Sequence, residues 1–194
     1  FAFGIVTGDS TLGIGLHMFL GKDYPYYAAF QYPKYLTERF TPDYIAPTAL
    51  KGLAEAEFPP NYTDKSFLNR IIYEGKVLYF LDAIFPEMAD SLKIGFTTQQ
   101  LEWCKTYQAD MWADFINSKI LYSNDAFEYN KYIEESPFTA GFDKTAAPRI
   151  GIWTGWQIVR AYMNENTDVS LAVLMADQDY KKILKIAKYK PKTK

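Results

Sequence analysis

The sequence predicts an α+β fold, with a small antiparallel β-hairpin or sheet at the N-terminus packed on a mainly helical body. Three observations point there. Leu12, Ile14 and Leu16 alternate with Gly13, Gly15 and His17, which is the period of a strand with one apolar and one small face. Leu68, Ile71, Ile72, Val77, Leu78, Phe80, Leu81 and Ile84 form a broad apolar surface at helical spacing. Thr97-Thr98-Gln99-Gln100 has the Thr-x-x-Gln spacing of a capping box and announces another long helix.

Taken in order, Phe1 to Val6 and Leu12 to Met18 read as two strands joined by the turn-forming cluster Thr7 to Thr11. Leu20 to Tyr27 is an aromatic loop bearing Gly and Pro, and Pro33 continues this irregular character towards Arg39. Thr41-Pro42 is an N-cap followed by Pro at the first helical position. The helix it opens carries Ile45, Ala49, Leu50, Leu53 and Ala54 on one face and ends at Phe58, before Pro59-Pro60. Pro47 must either kink this helix or mark its true start. Asp64 or Ser66 opens the next helix, apolar around most of its circumference and so central, and Pro86 ends it. Thr97 starts a helix to about Lys119, and a short one covers Asp125 to Glu134. Arg149 to Met163 and Ser170 to Tyr189 supply the last helices, the latter broken near Asp177. One domain over residues 1–194 is expected.

With 48% hydrophobic and 18% aromatic residues, the chain can bury a core and is not a disordered segment. Its net charge of −2 gives no reason to expect nucleic acid. The distribution is uneven, because seven Lys and no acid lie in 181–194, leaving 14 basic and 23 acidic residues elsewhere. That tail either docks on the acidic body, on a partner or on an anionic surface, or is a solvated terminus. Cys104 is the lone cysteine, so no internal disulfide can form, and its helical spacing with Leu101, Met111 and Phe115 makes it a small core residue. No run of 18 apolar residues suggests a membrane-spanning helix. The chain opens directly on a strand pattern, without Met or signal peptide, so it is expected to be the C-terminal part of a longer protein.

Several blocks carry a resemblance. They are Ile14 to Tyr27 (IGLHMFLGKDYPYY), Phe40 to Pro47 (FTPDYIAP) and Arg70 to Pro86 (RIIYEGKVLYFLDAIFP), then Leu101 to Cys104 (LEWC), Pro148 to Met163 (PRIGIWTGWQIVRAYM) and Lys188 to Pro191 (KYKP). In this order, across nearly the whole chain, they resemble the gliding-motility lipoprotein GldB family of Bacteroidota. That family is similar in turn to predicted zinc-dependent proteases with a Glu third ligand. The resemblance implies a degenerate zincin-like fold, an N-terminal lipid anchor ahead of this region, and a place in the cell envelope, facing the periplasm or on the outer membrane. It implies protein partners in the envelope or gliding machinery, no nucleic acid, and membrane association only through that anchor. His17 stands where the family pattern carries an acidic residue.

A zinc peptidase of this kind needs His-Glu-x-x-His on one helix and a Glu on the next. His17 is the one histidine, and the corresponding helix reads Ala46 to Gly52 (APTALKG), without His or acid. Glu74 alone remains. No catalytic residue, cofactor or metal is therefore assigned, and Ser and Thr residues have no recognisable base. The cleft candidates are Glu74, Arg149, Arg160, Trp153 and Trp156. Glu74 is expected to be buried and bonded to Arg149, to Arg160 or to helix-end amides. Trp153 and Trp156 lie three apart with Gly151 and Gly155 between and beside them. They read as helix-to-helix core packing, with a stacking platform for sugar or peptide as the alternative. The functional expectation is a non-catalytic binding or assembly component of the gliding or associated secretion machinery. The alternatives are a metallopeptidase-like or glycan-directed hydrolase using Glu74, and a glycan-binding module.

Overall fold

The computed structural model describes residues 4–61 and 63–192. β1 (Ile5–Gly8) pairs antiparallel with β2 (Thr11–Ile14), with Ile5 opposite Ile14 and Gly8 opposite Thr11. The expected strand to Met18 stops early. Gly15 N–H donates to the Gly4 carbonyl at 2.7 Å, and Leu16–Met18 curl into a 3-10 turn. The reason is that Met18 and Phe19, neighbours in sequence, are both buried, whereas a strand would send them to opposite faces. His17 is thus an exposed turn residue rather than a strand residue. Phe1 to Phe3, also expected in the first strand, lie outside the described residues.

The aromatic loop contains two short helices that the sequence did not announce, α1 (Pro25–Ala29) and α2 (Lys34–Thr37). Helices this short are unstable alone, so packing must hold them. Buried Tyr27 does so, meeting Tyr24, Tyr32 and Phe40 edge-on at 5.8, 6.0 and 4.9 Å. Its hydroxyl donates to the His17 carbonyl at 2.8 Å and accepts from Leu20 N–H at 3.0 Å.

A 3-10 turn at Pro42–Tyr44 leads into α3 (Ile45–Glu57). Pro47 falls in the first turn, where its missing N–H would have had no helical partner, so it marks the start and makes no kink. Gly52 lets β1 lie close on α3, since a Cβ there would stand 3.0 Å from Ile5 Cγ2. α4 (Phe67–Ile84) begins at Ser66, whose Oγ accepts from Asn69 N–H at 3.3 Å. α5 (Asp90–Ile94), also unannounced, ends at Gly95 with φ +77°. α6 (Thr98–Asn117) has the expected reciprocal capping box between Thr97 and Gln100, and bends at Tyr107. α7 (Ala126–Tyr129) continues as a 3-10 turn to Tyr132. α8 (Ile150–Glu165), α9 (Leu171–Ala176) and α10 (Tyr180–Ala187) follow, with the expected break at Asp177.

α4 and α8 form the centre and share the most extensive contact in the molecule. Cys104, Met111 and Phe115 of α6 pack into the same core, as expected for that cysteine. α10 closes one side with Tyr180, Ile183 and Ala187 inward and Lys181, Lys182 and Lys185 outward. Lys76 of α4 is buried and donates to the Met175 and Asp177 carbonyls at 2.9 and 2.8 Å, satisfying the end of α9.

Candidate functional site

One face of α3 carries Thr48, Lys51 and Glu55, each about one turn from the next. Lys51 is half-buried. Desolvation lowers its pKa to about 7, and Arg149 and Arg39 push in the same direction against Glu74 and Glu55. These charges therefore share one region, between α3, α4 and the start of α8. The sequence reading placed Glu74 and Arg149 there and missed Lys51, Arg39 and Glu55. Lys51 was legible as the one cation on the helix that leads to Phe58. Arg39, from the end of the α2 turn, carried no signal.

Glu74 does not bond to Arg149 or Arg160. Its carboxylate takes Arg70, one turn earlier on α4, at 3.0 Å. The side chain is 18% exposed, so it stands at the cleft wall and is not sealed in the core. Arg149 is engaged elsewhere. Its Nη2 donates to the Ile94 carbonyl at the end of α5, at 2.8 Å, and Nη1 lies 3.3 Å from Glu135. It sits over the Phe96 ring at 5.3 Å and holds a left-handed backbone, φ +49°, where α8 starts. Arg39 donates to the same Glu135 oxygen at 2.9 Å, so one exposed carboxylate bridges two guanidiniums. Burial lowers the Arg149 pKa to about 10.

Arg160 lies eleven residues along α8 from Arg149, about 16 Å of helix, and could not share a carboxylate with it. It belongs to a different cluster. Arg160 Nε and Nη2 donate to Asp82 at 2.7 and 2.9 Å, and its Nη1 and Nη2 donate to Asp90 at 2.8 and 2.7 Å. Burial acts to lower its pKa, but the hydrogen bonds it donates to Asp90 and Asp82 outweigh that and raise it. Asp82 also accepts from Lys93 Nζ at 2.8 Å and from Trp156 Nε1 at 2.9 Å. The Arg160 guanidinium lies 3.7 Å from the Trp156 ring centre. Trp153 and Trp156 are 3% and 0% exposed, so neither ring offers a surface to sugar or peptide. Arg160, Trp153 and Trp156 thus form a structural group apart from Glu74 and Arg149, whose charges interact without contact.

The donors do not fit a catalytic zinc. Among the described residues, no three His, Cys, Asp or Glu side chains converge as metal ligands. Glu74 and Glu55 meet at one corner, but Arg70 and Lys51 are the groups beside them, and cations repel a divalent ion. Next to this corner lies a separate hollow of about 230 Å³, lined by Arg39, Tyr44, Thr48 and Lys51 together with Met18, Phe19 and Leu92.

The family model described as gliding motility protein GldB matches residues 2–191. The chain belongs to this family. It is accordingly a gliding-motility-related lipoprotein, and its family associates it with the cell envelope. No curated protein and no solved structure matches the chain. None of the described helices is long and apolar enough to cross a membrane.

Proposed function

We propose that this GldB-family chain is a non-catalytic binding or assembly component of the gliding machinery, or of the secretion apparatus associated with it. It works in the envelope as a lipoprotein domain facing the periplasm or carried on the outer membrane, and its partners are proteins of that machinery. The observation that carries this reading is Lys51. It projects from α3 beside Glu74 and Glu55, where a degenerate zincin-like scaffold would need metal ligands, and it makes the cleft cationic. A cleft of this charge suits an anionic group on a partner better than a metal ion.

The competing reading is a hydrolase, and one observation favours it. Glu55 is raised in pKa by desolvation and by Glu74, the pattern of a carboxylate pair that could share acid and base roles. Motility separates the two. In a gliding bacterium lacking its own copy, the gene for this protein carrying Glu74→Gln or Glu55→Gln should restore colony spreading. Lys51→Glu should accumulate normally and fail to restore it. Loss of spreading with a normally accumulating Glu74→Gln protein would reinstate the hydrolase.

A further inference from the structure

We propose that the hollow between α3, the Arg39 segment and the turn from α5 to α6 binds a terminal carboxylate that carries a short apolar chain. This deepens the binding reading given above and rests on it for its biological meaning, though the site itself can be tested in solution.

Arg39 and Lys51 line the hollow and give it positive charge, and Arg149 adds its charge from beside Gly95 without lining it. The Arg39 and Arg149 guanidiniums converge on Gly95, where an added Cβ would lie 2.7 Å from Arg39 Cδ and 3.5 Å from Arg149 Nη2. Gly95 therefore lets both cations approach from one side, and its φ of +77° favours glycine. Lys51 faces them from α3. Among the described residues Lys51 Nζ makes no ion pair and no hydrogen bond, and buried Arg149 Nε has no partner. The charges of Glu74 and Glu55 also act on Lys51, but neither carboxylate pairs with its ammonium. Burial is the main cause of the lowered Lys51 pKa and the two guanidiniums add to it, so an incoming anion would favour the charged lysine.

The count of charges favours a monoanion. Glu135 already neutralises part of Arg39 and Arg149, and Lys51 is only partly charged near neutral pH. Glu74 and Glu55 near Lys51 reduce the excess further, so the small positive charge left suits a carboxylate better than a phosphate dianion. The apolar lining then selects what the carboxylate is attached to. Met18 and Phe19 are buried and Leu92 half-buried, so hydrocarbon lines the same hollow as Arg39 and Lys51. A volume of about 230 Å³ admits a head group with one short apolar chain and excludes a drug-sized ligand. A peptide C-terminus ending in Leu and a free short-chain fatty acid share this chemistry.

The test uses the purified chain and three kinds of probe. Titration calorimetry should detect saturable binding of hexanoate, of acetyl-Ala-Ala-Leu with a free carboxylate, or of both, which tells the acyl source from the peptide source. Lys51→Met should weaken that binding about tenfold or more, as expected for loss of a partly buried charge pair. Leu92→Asn should weaken it while the circular dichroism spectrum stays unchanged. Three results would overturn the assignment: no binding of either carboxylate, equal binding of the tripeptide amide, or inorganic phosphate binding as tightly as hexanoate. Because none of these readouts involves motility, a failed site and a failed envelope role remain distinguishable.

Discussion

Gly155 of α8 sits directly against α4 opposite Gly75, so the two central helices touch backbone to backbone. A Cβ on Gly75 would stand 2.7 Å from Trp156 N and closer still to the Gly155 carbonyl, and one on Gly155 would run into the Ile71 carbonyl. Only the absence of both side chains permits the contact, and Trp153 and Trp156 can then close the core on either side of it.

Gly155→Ala should therefore destabilise the protein by about 3 kcal/mol or more, the upper range for overpacking a rigid core. Chemical denaturation would measure this. Gly13→Ala in β2 is the control, because its Cβ would meet Val6 at ordinary distances of 3.6 and 3.8 Å, and it should cost little.

Lys51→Met should raise stability near neutral pH. The Lys51 pKa falls from its usual value to about 7 in the fold, under desolvation and the charges of Arg149 and Arg39, with Glu74 and Glu55 opposing. Between pH 7 and about 10.5 the unfolded chain binds the proton and the folded one does not, so native stability rises with pH over that window. The gap between Lys51→Met and the native chain should thus be largest below pH 7, roughly 1–3 kcal/mol, and close towards pH 10. Urea unfolding across pH 6–10 checks it. A gap that widens with pH would show that the sign is wrong.

Asp82→Ala should cost roughly 3–5 kcal/mol, because it leaves the Lys93 side chain, 3% exposed, as an uncompensated buried charge. The double variant Asp82→Ala with Lys93→Met should recover part of the loss. Thermal unfolding of the two singles and the double gives the coupling directly.

Among the described residues the buried Tyr189 hydroxyl has no hydrogen-bond partner, although its ring meets Trp112 edge-on at 5.3 Å. Tyr189→Phe should therefore be neutral or stabilising by about 1 kcal/mol, and Tyr189→Ala clearly destabilising. Ending the chain after Tyr189 should leave the melting temperature within about 3 °C, since Lys190 and Lys192 are exposed.

The α+β architecture was legible because its long elements carry strong local signals. Ser66, the Thr97–Gln100 box and the apolar circumference from Phe67 to Leu81 mark α4 and α6 without reference to anything distant. α1, α2 and α5 were not legible, being too short for a period and held by Tyr27 and by Asp82's partners. The cleft was half legible. Glu74 stood out as an acid in an apolar helix, but its choice of Arg70 over Arg149 depends on where the Ile94 carbonyl and Glu135 fall in space. No spacing in the chain encodes that.

Asp82 also has a consequence for the order in which the molecule comes together. Five residues cannot hold α5 as a helix on their own, and Lys93 and the neighbouring Asp90 are fastened through Asp82 and Arg160 on two other helices. The Gly95 turn that follows is the floor on which Arg39 and Arg149 meet. A nascent chain in which α4 and α8 have docked but this latch is still open would possess its core and lack its cleft. If the cleft is the binding surface proposed above, only the completely folded protein possesses it.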